Sequence, residues 1–347
     1  MTNNNGSGNG DGNGNSNDDK NSVTTGTGSA TPTESDVYDR QIRLWGAESQ
    51  AKMSQARVLY IHVTGISSEI CKNLVLAGIA ATLCDTRGLE SVATTPSIFL
   101  PPTKKTKYAT VAHAVQPFIQ ELNPLLGDCP LLEKDASELT QEDVQDFTVV
   151  IASQIPPNLA IKLAAWSQKF YMCDCFGMAG ACLLDLGAGY EYRPEQGKTL
   201  LDPRPMDTYV TLEQLMQVPL EHAVNRFHKQ PPPSFVQYRC LLEYANQNGG
   251  SWPTEETCDD FLQVVETFVN ADAPTLQHHP ALTREALVTL ARQATSEVAP
   301  VCSVLGGMIG NEIIKVVSGK GEPANNTLLL DGTTCKAWTF LVQPKKA

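Results

Sequence analysis

Residues 1–36 contain little that could build a core: Asn, Gly, Ser, Thr and Asp dominate, and the sparse apolar surface cannot offset the entropy of ordering the chain. They are expected to form a disordered tail, in which Asp11, Asp18, Asp19, Glu34 and Asp36 face a single cation, Lys20. The chain also lacks basic excess. Its 26 Lys and Arg stand against 38 Asp and Glu, a formal charge of −12, which argues against a nucleic-acid or anionic-membrane surface. The ten cysteines lack the paired short spacings of a zinc site, with Cys173-Asp174-Cys175 the nearest approach, and their scatter through apolar runs suits buried free thiols in a reducing compartment. No signal-peptide core follows Met1, and the longest uncharged apolar stretch, 298–310, is too short to span a bilayer. The expectation is a soluble intracellular protein, with the sequon-like Asn325-Asn326-Thr327 unmodified.

Against these absences stands a chain of 347 residues, enough for a sizeable core. RVLYIHV (57–63) is a β-branched and aromatic run; Gly65 follows, then SSEICKNLVLAG, whose apolar spacing predicts a helix closed by Gly78. ATLCD adds a short strand ending at Asp85. This strand-turn-helix-turn-strand order opens a doubly wound α/β sheet. A crossover with Pro101-Pro102 and Lys104, Lys105 and Lys107 leads to a helix ending near Asn123-Pro124. FTVVIAS, KFYMCD and ACLLDLG read as buried strands, with a helix over 158–168.

From Tyr190 the texture changes. Prolines 203, 205, 219 and 231–233 separate amphipathic helices over roughly 211–228, 234–247, 257–270 and 283–296. An apolar helix over 300–317 and a hairpin of NTLLLDG and CKAWTFLV across Asp331-Gly332 follow. The organisation is thus a tail (1–36), the first part of an α/β domain (37–189), a helical insertion (190–297) and the return of that domain (298–347).

The strand-Gly65-helix unit, with Asp85 twenty residues beyond Gly65, has the outline of a nucleotide-binding fold. Its loop, HVTGISSE, lacks the glycines. Such loops need Gly where the chain turns tightly, where backbone approaches phosphate and where helix meets strand. His62 and Ser67 hold two of those places, and their side chains would crowd a pyrophosphate. A retained scaffold with a blocked pocket therefore competes with a working ATP or NAD site, and the missing glycines favour the scaffold. Asp85 could hold a ribose or serve as a turn residue. His62 reads as a packed histidine rather than a base, and His278-His279 lacks metal spacing.

YDRQIRLWG (38–46), if helical, puts Tyr38, Ile42 and Trp45 on one face and offers Arg40 and Arg43 on another. With KNLVLAGI, CDCFG, APVCSVLGGMIGNEIIK and NNTLLLDG in the same order, the chain resembles the small subunit of heterodimeric SUMO-activating enzymes, relatives of the bacterial adenylating proteins of molybdopterin and thiamin biosynthesis. The resemblance runs from about Asp36 to Phe340, loosely in the insertion and not in the tail. YDRQIRLWG alone also resembles the small subunit for a second ubiquitin-like modifier.

The resemblance implies a Rossmann-like adenylation domain with a degenerate nucleotide site, paired with a large catalytic subunit. That partner would hold ATP, Mg²⁺, zinc and the thioester cysteine and would activate SUMO, while this chain binds no cofactor or metal of its own and is not catalytic alone. Matched by motif, Arg40 would reach the partner's ATP site; composition alone would leave it a solvated surface arginine, and Arg43 an ion-paired one. Where active relatives carry a Mg²⁺-binding Asp, this chain has Ser153-Gln154, and an arginine after strand two is not evident in SVATTPSIFL. Gly65 and Asp85 would be remnants, and Cys240 and Cys258 core or surface thiols. The resemblance also implies nuclear residence, with some cytoplasmic. The alternatives are a small subunit for another ubiquitin-like modifier, a self-standing adenylating enzyme, or an NAD-dependent oxidoreductase, the last lacking its glycine motif.

Overall fold

The computed structural model describes residues 37–92, 99, 108–197, 199–206, 208–224, 229–339 and 341–344. The tail, Lys104, Lys105, Lys107 and Lys345-Lys346 lie outside the described residues.

A seven-stranded mixed sheet organises the chain from Tyr38 onward. Its first strands are β1 (Arg57–Ile61), β2 (Ala80–Cys84), β3 (Val149–Ala152) and β4 (Phe170–Phe176), which pair in parallel in the order β2-β1-β3-β4. Both faces of this half are covered, so its strands read as continuous apolar runs rather than alternating ones. The period of two survives inside them. Val58, Tyr60, Val149, Ile151, Tyr171 and Cys173 enter one core, whereas Leu59, Ile61, Val150, Ala152, Phe170 and Met172 enter the other.

The parallel half ends at β4. β5 (Ala179–Asp185) returns antiparallel, β10 (Thr327–Asp331) runs antiparallel to β5, and β11 (Lys336–Thr339) closes the edge. Apolar runs alone do not distinguish a hairpin from another crossover strand. The hairpin depends on Gly177, whose φ is 58° and whose added Cβ would stand 2.3 Å from Gln293 Oε1.

The first core lies under α1 (Asp39–Trp45), α2 (Ala47–Gln55), α3 (Gly65–Leu76) and α4 (Val111–Leu122). The short α5 (Gln141–Val144) precedes β3, and α6 (Pro157–Trp166) joins β3 to β4 over the second core. Within 190–297, two small hairpins form first: β6 (Glu191–Tyr192) pairs with β9 (Arg204–Pro205), and β7 (Glu195–Gln196) with β8 (Thr199–Leu200). Then come α7 (Leu212–Gln217), α8 (Pro233–Gln247), α9 (Cys258–Asp272) and α10 (Arg284–Gln293). Phe235, Leu241, Phe261 and Leu290 of these helices share a core with Phe170 and Leu183 of the sheet. The insertion is therefore packed onto the sheet face, and α7 stops short of the helix expected over 211–228 because Pro219 follows it.

α11 (Ala299–Ser318) is long and apolar enough to cross a membrane by length and composition, with Val301, Leu305, Ile309 and Ile313 buried in the first core. It crosses α3 closely: a Cβ on Gly306 would come within 2.7 Å of Glu69 Cβ. All ten cysteines are free; eight are buried, Cys258 is half-buried and Cys335 is exposed.

Candidate functional site

In an open α/β sheet the ligand crevice lies at the carboxyl ends of the strands where the strand order reverses. Here β1 sits between β2 and β3, so the crevice opens between His62-Thr64 and Ser153-Gln154. At its base begins α3, and the first donors of a helix ordinarily need partners from outside it.

This chain supplies all of them. Thr64 caps the helix in a capping box: its N–H donates to Ser67 Oγ at 2.7 Å, and Thr64 Oγ1 accepts from Ser67 N–H. The Gly65 N–H donates to Glu297 Oε2 at 2.6 Å and the Ile66 N–H to Glu297 Oε1 at 3.0 Å. A carboxylate thus occupies the place a phosphate takes in a nucleotide-binding loop. Gly65 lets the carboxylate sit close, because a Cβ there would stand 3.0 Å from Glu297 Oε2 and push it outward. Burial raises the Glu297 pKa, and the two backbone N–H groups pull it back down.

The ribose position is committed as well. The buried Asp85 carboxylate accepts from the Val63 N–H at 2.7 Å and from Arg87 through Nε at 2.9 Å and Nη2 at 2.8 Å. Arg87 extends the closure by donating from Nη1 to Gln154 Oε1 at 3.1 Å.

Two contacts then tie β1 to β3 across the crevice. Thr64 Oγ1 donates to Ser153 Oγ at 2.9 Å, and His62 Nδ1 lies 3.0 Å from Ser153 O. His62, in the left-handed region at φ 64°, is held by these neighbours, with its pKa lowered by burial and by Arg87. Beneath them the Gln154 N–H and the Tyr238 O–H donate to Asp174 at 2.7 and 2.6 Å. Burial pushes the Asp174 carboxyl up to about 6. Asp85, Asp174 and Glu297, the acids of this crevice, are all engaged by the chain's own donors. As they stand, its residues leave no open cradle for a nucleoside triphosphate and no set of free oxygen ligands of the kind Mg²⁺ takes.

Gly65 and Asp85 are therefore brought together, as the sequence outline requires, but in a closed arrangement. Glu297 and Arg87 were missed by sequence reasoning. Arg87 had a local signal, standing two residues after a strand-end Asp; Glu297 had none, being 232 residues from Gly65.

Arg40 lies elsewhere. α1 is anchored by buried Tyr38, whose hydroxyl accepts from Asn123 Nδ2 at 2.7 Å, and by Gln41 Nε2, which donates to Leu76 O at 2.9 Å. These anchors sit at the C-terminal end of α3, a helix of twelve residues, about 18 Å long, whose other end is the cradle. Arg40 is exposed and makes no hydrogen bond or ion pair among the described residues, whereas Arg43 pairs with Asp39 at 2.9 Å. Leu44, one turn beyond Arg40, is 73% exposed.

His279 is structural: it accepts from the Ala281 N–H through Nδ1 and lies 3.1 Å from Pro231 O through Nε2. Cys240 is buried and its thiol is pushed up to about 12 by that burial, which opposes a nucleophilic role.

No family model matches the chain. Among curated proteins it is similar to SUMO-activating enzyme subunit 1B-1 of Arabidopsis thaliana, 29% identical over 312 residues that cover 87% of this chain and 93% of the relative. It is 26% identical to SUMO-activating enzyme subunit 1 of Dictyostelium discoideum over 310 residues, covering 87% and 91%. The corresponding protein of Mus musculus is 28% identical over 331 residues, covering 85% and 90%.

Proposed function

We propose that this chain, a homologue of SUMO-activating enzyme subunit 1, is the non-catalytic member of a heterodimer and lends Arg40 to the nucleotide site of a larger partner. The observation that carries the reading is the contrast between the two sites. The chain's own cradle has spent its helix donors on Glu297 and its ribose carboxylate on Arg87, while Arg40 stands exposed beyond the far end of α3.

The chemistry gives Arg40 a task. Activation joins the modifier's C-terminal carboxylate to the α-phosphate of ATP as pyrophosphate leaves. Charge then spreads over phosphate oxygens. A planar guanidinium with several fixed donors stabilises such charge better than a point-like ammonium, and a site that shuts out water magnifies the effect. Arginines delivered in trans to phosphoryl transfer are worth roughly 10³ to 10⁵ in rate. Magnesium and lysine groups in the partner would share the work here, so a smaller factor is expected.

In this reading ATP, Mg²⁺ and the thioester cysteine belong to the large subunit, SUMO is the modifier and the nucleus the main location, with some cytoplasmic. The test is ATP–pyrophosphate exchange by the purified chain alone and with the large subunit. Exchange only in the pair supports the reading. Robust exchange by the lone chain overturns it in favour of a self-standing adenylating enzyme.

A further inference from the structure

Behind the Glu297 seat lies a cluster that the proposed subunit role does not use. Cys175 comes from β4, Cys302 from the first turn of α11 and Glu297 from the segment before it. All three are buried, and one Sγ, the other Sγ and a carboxylate oxygen lie within 4.8 Å of one another. The spacing Cys173-Asp174-Cys175 gave no hint of this: Cys173 lies 3.3 Å from Cys182 on the neighbouring strand, while the partners of Cys175 come from more than a hundred residues further along the chain.

We propose that Cys175, Cys302 and Glu297 form a binding site for a thiophilic divalent cation, with zinc the metal whose donor preference they match. Two thiolates and one carboxylate suit Zn²⁺ and exclude Mg²⁺ and Ca²⁺, which take hard oxygen ligands. Zn–S bonds of about 2.3 Å and Zn–O bonds of about 2.1 Å set tetrahedral neighbours roughly 3.5 to 3.8 Å apart, so the cluster needs only a small contraction. Glycines flank both thiols: a Cβ on Gly180 would stand 3.1 Å from Cys175 Sγ, and one on Gly65 3.1 Å from Cys302 Sγ, so a side chain at either position would press on the cluster.

The surroundings orient the carboxylate. The Gly65 and Ile66 N–H groups fix both Glu297 oxygens, the kind of outer hydrogen bonding that aims a metal ligand. Three anionic ligands on a dication leave one negative charge, which the N-terminus of α3 offsets. Binding is an exchange without redox change: two S–H bonds break, two Zn–S bonds form, and two protons pass to solvent. Three protein ligands leave the fourth tetrahedral position for water.

The test uses the full chain, with exposed Cys335 and half-buried Cys258 replaced by Ser, stripped by chelator and titrated with Co²⁺ and then Zn²⁺. One equivalent of Co²⁺ is expected to give a sulfur-to-cobalt charge-transfer band that Zn²⁺ abolishes, and Cys175→Ser or Cys302→Ser should remove most of it. X-ray absorption on the zinc-loaded chain, which needs no further variant to fold, should show two sulfur neighbours. Absence of the band, a band unchanged in both variants, or a zinc shell of nitrogen and oxygen alone overturns the site.

Discussion

Glu297 Oε2 lies 2.6 Å from the backbone nitrogen of Gly65, so a carboxylate of the chain itself fills the anion seat at the start of α3. Charged hydrogen bonds of this kind are the stronger ones, and losing the carboxylate strands two buried N–H groups. Glu297→Ala is expected to cost about 2 to 4 kcal/mol in urea unfolding. A loss under a few tenths would show that the seat is not structurally occupied.

Arg87 and Arg43 separate two kinds of ion pair. Asp85 is fully buried behind Arg87, whereas the Arg43 and Asp39 side chains are 77% and 51% exposed. Arg87→Ala should destabilise by about 3 kcal/mol, since it leaves a buried carboxylate short of its cation, while Arg43→Ala should stay within about 0.5 kcal/mol. Equal effects in chemical denaturation would contradict that ranking.

These two arginines also mark what was legible beforehand. β1, β3 and α3 follow from apolar runs and spacing, and the resemblance to SUMO-activating small subunits agrees with the relatives found. α2 was missed because its only long apolar side chain is Met53; that side chain is buried in the first core, and polar contacts such as Gln50 Nε2 to Ala77 O at 3.0 Å complete its anchoring. The antiparallel return of β5 turns on Gly177, whose φ of 58° favours glycine. The missing glycine loop pointed to an obstructed cradle, but its occupants, Glu297 and Arg87, are paired by tertiary contacts that no local spacing encodes.

Tyr38 should be the residue that holds α1 in place. It is almost fully buried and hydrogen-bonded to Asn123, whereas Trp45 is half-buried. Tyr38→Ala is expected to lose about 3 kcal/mol and to raise protease sensitivity at α1. Tyr38→Phe should lose about 1 kcal/mol. If the alanine variant cost no more than the phenylalanine one, α1 would have another anchor.

Asp174 gives a pH signature with a definite sign. Its folded value, about 6, exceeds its ordinary 3.8, so its contribution is fully present below about 3.8 and declines as pH rises through 6. The stability of the wild type minus that of Asp174→Asn should therefore fall by about 2 kcal/mol between pH 4 and 7. His62 and His279, lowered by burial, act oppositely as pH drops below the usual histidine range, and the subtraction removes them. A difference curve that is flat or rises with pH would refute the assignment.

The most direct test of the central claim is single-turnover adenylate formation by the assembled heterodimer carrying wild-type, Arg40→Ala or Arg40→Lys chain, with assembly checked by sizing. The account expects intact dimers in all three, a loss on the order of 10²-fold for alanine, and poor rescue by lysine. Adenylation at the wild-type rate by the alanine dimer would contradict it.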